Sequence, residues 1–316
     1  MSLTRRALLS RVGTAAVGIG GLSATTDTVA AGHGHGYKHV PTDTGTTLFD
    51  VVGTREGPFA VGLEGTMLRR GYEQYHSVTD GFPFDGNTHL YGIDVTDDGR
   101  RVWVAGDDGT LAEYDVVTGE FFCHEIVDDD RAFVDVGATG TAGEGTVYVV
   151  DGRGHVFYTF DYGGSWKTTM LGHGVPPVAL DRFGMRGGLV LDIDGCVYRT
   201  VDGKKWEQFT IEELDRYVFD IAGGRYRGGV VGEDGLVICR DREGIDWHVL
   251  GDTDLLGVDY RQTDWFGAVV GFEGTLFEFD EEWERFDLAT DLPLFGIYVG
   301  EYLVAVGDDG TVFEKW

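Results

Sequence analysis

The chain has 316 residues and a formal charge of −29, from 54 Asp and Glu against 25 Lys and Arg. Binding of phosphate needs clustered Lys and Arg, so this balance excludes nucleic acid as the expected partner. Gly is abundant at 51 without the every-third spacing of collagen, and aromatics reach 13%. Many tight turns between packed strands give both numbers, which argues against disorder.

Residues 1–30 read as a targeting segment outside the fold. Thr4-Arg5-Arg6-Ala7-Leu8-Leu9-Ser10 resembles a twin-arginine export motif, followed by the apolar Val12 to Leu22 and the small-residue stretch Thr28-Val29-Ala30-Ala31. The apolar run is too short and Gly-rich for a membrane span. The resemblance implies an exported protein, extracellular or at the cell surface. Residues 31–36 form a flexible leader. Cleavage after Ala30 would put His33 third from a free amine, a spacing that chelates Cu(II) or Ni(II), although a solvated tail is the simpler reading. Lys occurs only at 38, 167, 204, 205 and 315. Such a Lys-poor acidic chain resembles proteins of halophilic archaea, where a screening length of about 3 Å at 1 M salt removes most of the self-repulsion.

From residue 37 onward one phrase recurs: an apolar run, Gly, two polar residues, Gly, and a second apolar run. Its last copy is Ala305-Val306-Gly307-Asp308-Asp309-Gly310-Thr311-Val312-Phe313. The second glycines fall at 65, 109, 154, 195, 235, 274 and 310, a spacing of 36–45 residues. Each copy predicts strand, tight turn, strand, with the second Gly supplying positive φ. The copies at Gly154 and Gly195 are looser.

Around this hairpin each unit reads as four strands. Strand a is an inner apolar run such as Leu48 to Val52 or Tyr217 to Ile221. Strand b, such as Gly229 to Gly232, enters the glycine turn, and strand c, such as Leu276 to Phe279, leaves it. Strand d carries an aromatic, as in Tyr72 to Tyr75, Trp206 to Phe209, Trp247 to Leu250 and Trp283 to Phe286. Repeating four-stranded units of about 40 residues are the blades of a β-propeller. The expected fold is therefore all-β, one seven-bladed propeller over residues 37–316. The seventh unit ends at Trp316 without a strand d, whereas Gly36 to Asp43 matches Gly71 to Val78 and has no unit of its own. The N-terminal strand is expected to complete the last blade and close the ring.

Thr159-Phe160-Asp161-Tyr162-Gly163-Gly164-Ser165-Trp166 matches the Asp-box, Ser/Thr-x-Asp-x-Gly-x-Ser/Thr-Trp. A shortened version runs from Thr200 through Asp202 to Trp206, Asp241 to Trp247 is a degraded third, and Trp283 keeps only the aromatic. On these residues the chain resembles the BNR/Asp-box propellers, which include sialidases and Ycf48-type assembly factors. The role expected for Asp161, Gly163, Trp166, Asp202 and Trp206 is structural, the carboxylates accepting backbone N–H groups in the c–d turn and the indoles packing between blades.

Two sets of carboxylates are candidate sites. Aligned on Phe49, Tyr91, Val178, Phe219 and Leu256, strand a puts Asp50 and Asp220 at position two and Asp94, Asp181 and Asp259 at position four, all with one parity. The lead residue and position three fall on the opposite face, and Asp135 breaks the parity unless a bulge intervenes. If the carboxylates face the axis they crowd a narrow channel, where they either bond to neighbouring strands or hold Ca²⁺ or another divalent cation. No other cofactor is expected. The b–c tips bring Asp107, Asp108, Glu233, Asp234, Asp308 and Asp309 to one face, together with d–a loop residues such as Asp80, Asp85, Asp129 and Asp254. Cys123, Cys196 and Cys239 lack metal-ligand spacing, and the last two are expected to be buried in strands.

The function expected is that of a monomeric, exported, non-catalytic propeller that engages a protein or glycan partner through its loop face. The alternative is a carbohydrate-active hydrolase, which requires two carboxylates about 5–9.5 Å apart at the channel mouth.

Overall fold

The computed structural model describes residues 36–316, apart from 80, 85, 262, 264 and 265. The export segment 1–30, leader residues 31–35 with His33, and Asp80 and Asp85 lie outside the described residues. Seven four-stranded antiparallel sheets form a β-propeller. Blades 1 to 6 begin with the inner strands Leu48–Thr54, Leu90–Val95, Phe133–Thr141, Pro177–Phe183, Val218–Gly223 and Leu255–Arg261, and blade 7 with Leu294–Val299. In blade 7 the strand order runs from Leu294–Val299 through Leu303–Gly307 and Val312–Lys315 to the N-terminal Lys38–His39, so the two ends of the chain share one sheet. Among the described residues no helix is long and apolar enough to cross a membrane.

The closing strand sits in a different register from the one the Gly-Tyr match suggested. His39 pairs with Phe313 and the Val40 N–H donates to the Val312 carbonyl; in blade 1 Ser77 pairs with Leu68 and the Val78 N–H donates to the Met67 carbonyl. Tyr37 therefore corresponds to Tyr75, and Tyr72 lies outside the strand, 96% exposed. The buried Val40 and Tyr75 pack with Val304 and Val312, which fixes this register.

The repeated turn has two forms. In blades 1, 2, 5, 6 and 7 the residue before the second Gly is itself left-handed, with Glu64, Asp108, Asp234, Glu273 and Asp309 at φ 51–57°. The first Gly of each of these turns is also required. A Cβ on Gly62, Gly106, Gly232, Gly271 or Gly307 would lie 2.0–2.2 Å from the carbonyl oxygen preceding strand a of the same blade. The next residue uses that carbonyl, as when the Leu63 N–H donates to Thr47 O at 2.9 Å. In the looser blades 3 and 4 a buried carboxylate replaces this device: Asp151 accepts from the Arg153 and His155 N–H groups, and Asp192 from those of Asp194 and Cys196.

Each inner strand carries a register shift at its start, for instance between Leu48 and Asp50 and between Leu294 and Gly296. The bulge turns the lead residue towards the axis, contrary to the simple alternation expected. Phe49, Tyr91, Phe219, Leu256 and Phe295 form one buried apolar cluster at the end of the ring where strand a starts. Position three instead packs between blades, as Ile93 does with Val61 and Val104.

Candidate functional site

An inner strand pairs with strand b along one edge only, which leaves the N–H groups of its other edge facing the channel without a ladder partner. The channel aspartates take these groups in pairs. Asp50 accepts from Val51 N at 2.8 Å in its own blade and from Ile93 N at 3.1 Å in the next. Asp135 does the same for Val136 and Leu180, and Asp220 for Ile221 and Val258. Asp94 accepts from Val95 and Ala138, Asp181 from Arg182 and Gly223, and Asp259 from Tyr260 and Val299. Each carboxylate thus joins one blade to its successor.

The bulge also settles Asp135. With Val134 as its lead residue it stands at position two, with Asp50 and Asp220, and the bulge that its parity requires lies between Phe133 and Asp135. Position two reads Asp, Gly, Asp, Ala, Asp, Gly, Gly through the seven blades and position four reads Val, Asp, Gly, Asp, Ala, Asp, Tyr. In blades 2 to 6 a Gly or Ala stands at the position the Asp does not take, and a carboxylate fills the space beside it: a Cβ on Gly92 would lie 2.4 Å from Asp135 Oδ1.

These residues line a cavity of about 460 Å³ together with Arg182, Arg261 and Tyr298. Its lining includes Gly53, Thr96, Asp97 and Gly99, so it opens towards the a–b turns, while the apolar cluster occupies the other end of the axis. The channel mouth and the acidic b–c tips therefore lie on opposite faces. Arg182 of blade 4 passes Gly137 of blade 3 to reach blade 2, donating to Asp94 Oδ2 at 3.0 Å and Asp97 Oδ1 at 3.1 Å. Burial pushes the Asp181 and Asp259 carboxyls up to about 7, against the opposing pull of their backbone bonds. Among the described residues no group of three or more His, Cys, Asp or Glu side chains is arranged to hold a metal ion.

In the Asp-box, Asp161 accepts from Ser165 N at 2.8 Å, Ser165 Oγ at 2.7 Å and Thr159 Oγ1 at 2.6 Å. The hydroxyls of Thr159 and Ser165 hold its carboxyl down at about 2. Gly163 has φ 89° and its N–H donates to Thr159 Oγ1. Asp202 accepts from the Lys204 and Lys205 N–H groups at 2.9 Å. Trp166 packs on Trp103 of blade 2 and Trp206 on Tyr148 of blade 3.

The acidic tips divide in two. Asp107 accepts from the Tyr91 hydroxyl and Glu233 from Tyr217 N, each tying the turn to strand a of its own blade, whereas Asp308 of blade 7 accepts from Thr47 Oγ1 at the start of blade 1. Asp108, Asp234 and Asp309 are exposed. Of the d–a residues, Asp129 is engaged by Arg131 and Arg153. The three cysteines are free; Cys123 is exposed, and Cys196 and Cys239 are only partly buried, not fully as expected.

The fold and channel define a seven-bladed β-propeller with carboxylate-braced inner strands. No family model and no curated protein matches the chain. Among solved structures it is similar to YCF48 bound to D1 peptide, with TM-score 0.70 and 14% identity over 93% of this chain and 99% of that one. It is similar also to YCF48 from Cyanidioschyzon merolae, with TM-score 0.68 and 16% identity over 89% and 98%. Virginiamycin B lyase from Staphylococcus aureus matches with TM-score 0.73 and 10% identity over 88% and 98%. At these identities the likeness shows the fold alone.

Proposed function

We propose that this protein is an exported, non-catalytic propeller that holds a protein partner on its outer surfaces in a high-salt environment. The observation that carries the reading is the use of the channel carboxylates. Each already accepts two backbone N–H groups, so the acids that would do chemistry at an axial site instead brace the ring. A rigid ring with variable loops is suited to presenting a binding surface. The solved likeness titled YCF48 bound to D1 peptide supports a peptide-binding use of this architecture. The twin-arginine-like segment and the excess of 54 acidic over 25 basic residues support export into brine. The test is affinity capture with the tagged protein from high-salt culture medium, followed by reciprocal capture with the partner. A reproducible stoichiometric partner is expected. Recovery of the bait alone, together with hydrolysis of a glycoside by the purified protein, would overturn the reading.

A further inference from the structure

At the start of strand d, six blades place an aromatic side chain against the preceding blade: Tyr75, Phe121, Trp166, Trp206, Trp283 and, in the closing blade, Tyr37. Blade 5 does not. There Arg240 pairs with Ile245, which puts Ile245 at the equivalent position, and Trp247 falls two residues further along the strand, 45% exposed. The degraded Asp-box thus kept its indole in sequence but lost it in space.

The rest of the seat survives. In blade 4 the ring of Trp206 lies over Gly188, whose Cβ would come within 3.1 Å of it. Gly188 pairs with Thr200 as Gly228 pairs with Arg240, and a Cβ on Gly228 would meet only backbone. Trp166 and Trp206 rest on Trp103 and Tyr148; the equivalent residue facing blade 5 is Leu189. What remains is a groove of about 280 Å³ between blades 4 and 5, with Leu189, Val230 and Ile238 at its base and Phe209 and Ile245 at its sides. Phe209 is 44% and Ile245 56% exposed.

The rim carries Arg199, Arg227 and Arg240 on a chain with a formal charge of −29. Arg199 donates to the Arg225 carbonyl and lies over Phe183, and Arg240 lies over Phe209. Among the described residues neither Arg199 nor Arg240 is in an ion pair with a carboxylate, although Glu207 stands opposite Arg199 across the strand pair.

We propose that this groove binds an acidic peptide segment through one aromatic side chain, which fills the vacant seat while the arginines engage the flanking carboxylates. Aromatic anchors in desolvated pockets and bidentate arginine contacts give such docking its affinity and orientation. The inference rests on the peptide-binding reading above, and its test is separable from it.

The experiment measures anisotropy of a labelled acidic peptide with one central tryptophan against the purified protein. Controls are the same peptide with alanine at the centre and a charge-reversed peptide. Binding of the acidic tryptophan peptide is expected, with both controls at least about tenfold weaker, or roughly 1.4 kcal/mol. Ile245→Trp, which supplies the missing ring from the chain itself, is expected to weaken binding at least about tenfold while the melting temperature holds or rises. Arg240→Glu is expected to weaken it comparably, and carries the test if Ile245→Trp fails to fold. Equal binding of the charge-reversed peptide, no binding by the wild type, or undiminished binding by both variants would overturn the groove. A captured partner that still bound Ile245→Trp would leave the binding function standing and refute this site. Self-association in sedimentation that Ile245→Trp abolishes would also overturn the proposal, by making a second copy of the chain the occupant.

Discussion

Tyr298 of the last blade fills the space beside Gly53 of the first: a Cβ on Gly53 would lie 2.2 Å from Tyr298 Cζ. This contact marks the one junction that the aspartate braces do not span. Aspartates at position two in blades 1, 3 and 5 and at position four in blades 2, 4 and 6 alternate around the ring, and an alternation of two cannot close on an odd number. At the seventh junction Gly296 packs on the backbone of Phe49 and Asp50, and the N-terminal segment does the remaining joining. Beside it the buried Glu314 accepts from the Arg70 Nε–H and the Tyr75 hydroxyl of blade 1, both at 2.8 Å.

Removal of residues 36–43 should therefore open the ring at its weakest junction. Val40 is 6% exposed and its N–H bonds to Val312, so its loss with the edge bonds should cost about 2–4 kcal/mol in urea unfolding. Glu314→Ala, which strips a buried acceptor from Tyr75 and Arg70, should cost about 3–5 kcal/mol. Unaltered unfolding curves would show that closure does not depend on this seam.

Asp259 gives a prediction in pH. Its folded pKa of about 7 stands above the ordinary 3.8, so its contribution to stability is full below about pH 4 and is lost as pH rises through 7. Asp259→Asn resembles the protonated form. Thermal unfolding of both proteins from pH 4 to 8 should show the wild type losing ground to the variant as pH rises. A wild type that gains ground would mean that the carboxylate is ionised in the fold.

Much of the architecture was legible because it depends on local chemistry: the glycine hairpin repeats in sequence, and counting its copies gives both the blades and the missing last strand. What depends on contacts between blades was not. The first glycine of the turn is required by a carbonyl that approaches from the strand before it in the chain, and only the fold shows that approach. Tyr37 was matched to Tyr72 on a Gly-Tyr pair, whereas Val40 and its hydrogen bond set the register three residues away. The bulge at the start of strand a turns Phe49 to the axis against simple alternation and supplies the irregularity that the parity of Asp135 requires, and Trp247 conceals the substitution of Ile245 at the box position.

The Asp-box carboxylate behaves oppositely to Asp259. Asp161 is held at about 2 by the Thr159 and Ser165 hydroxyls, so its stabilisation is present above pH 4 and disappears as pH falls through 2. Asp161→Ala should lower the melting temperature at pH 5, and the gap to the wild type should close towards pH 2. A gap that persists there would point to packing instead of charge.

Salt should stabilise the protein. Asp108, Asp234 and Asp309 stand on one exposed face of a chain already at −29. Raising KCl from about 0.1 to about 1 M shortens the screening length from about 10 to about 3 Å and should raise the melting temperature. A fall would show that ion pairs such as Arg131–Asp129 outweigh the repulsion.

The most direct test of the braced ring is the unfolding free energy of Asp135→Ala. Asp135 is 5% exposed and accepts from Val136 N and Leu180 N, both at 2.8 Å, so its removal leaves two buried N–H groups without their acceptor. At about 1–3 kcal/mol for each, urea titration should give a loss of about 2–6 kcal/mol, with Asp135→Asn losing roughly half as much. Equal stability of wild type and Asp135→Ala would contradict the account, because the channel carboxylates would then be free for another use.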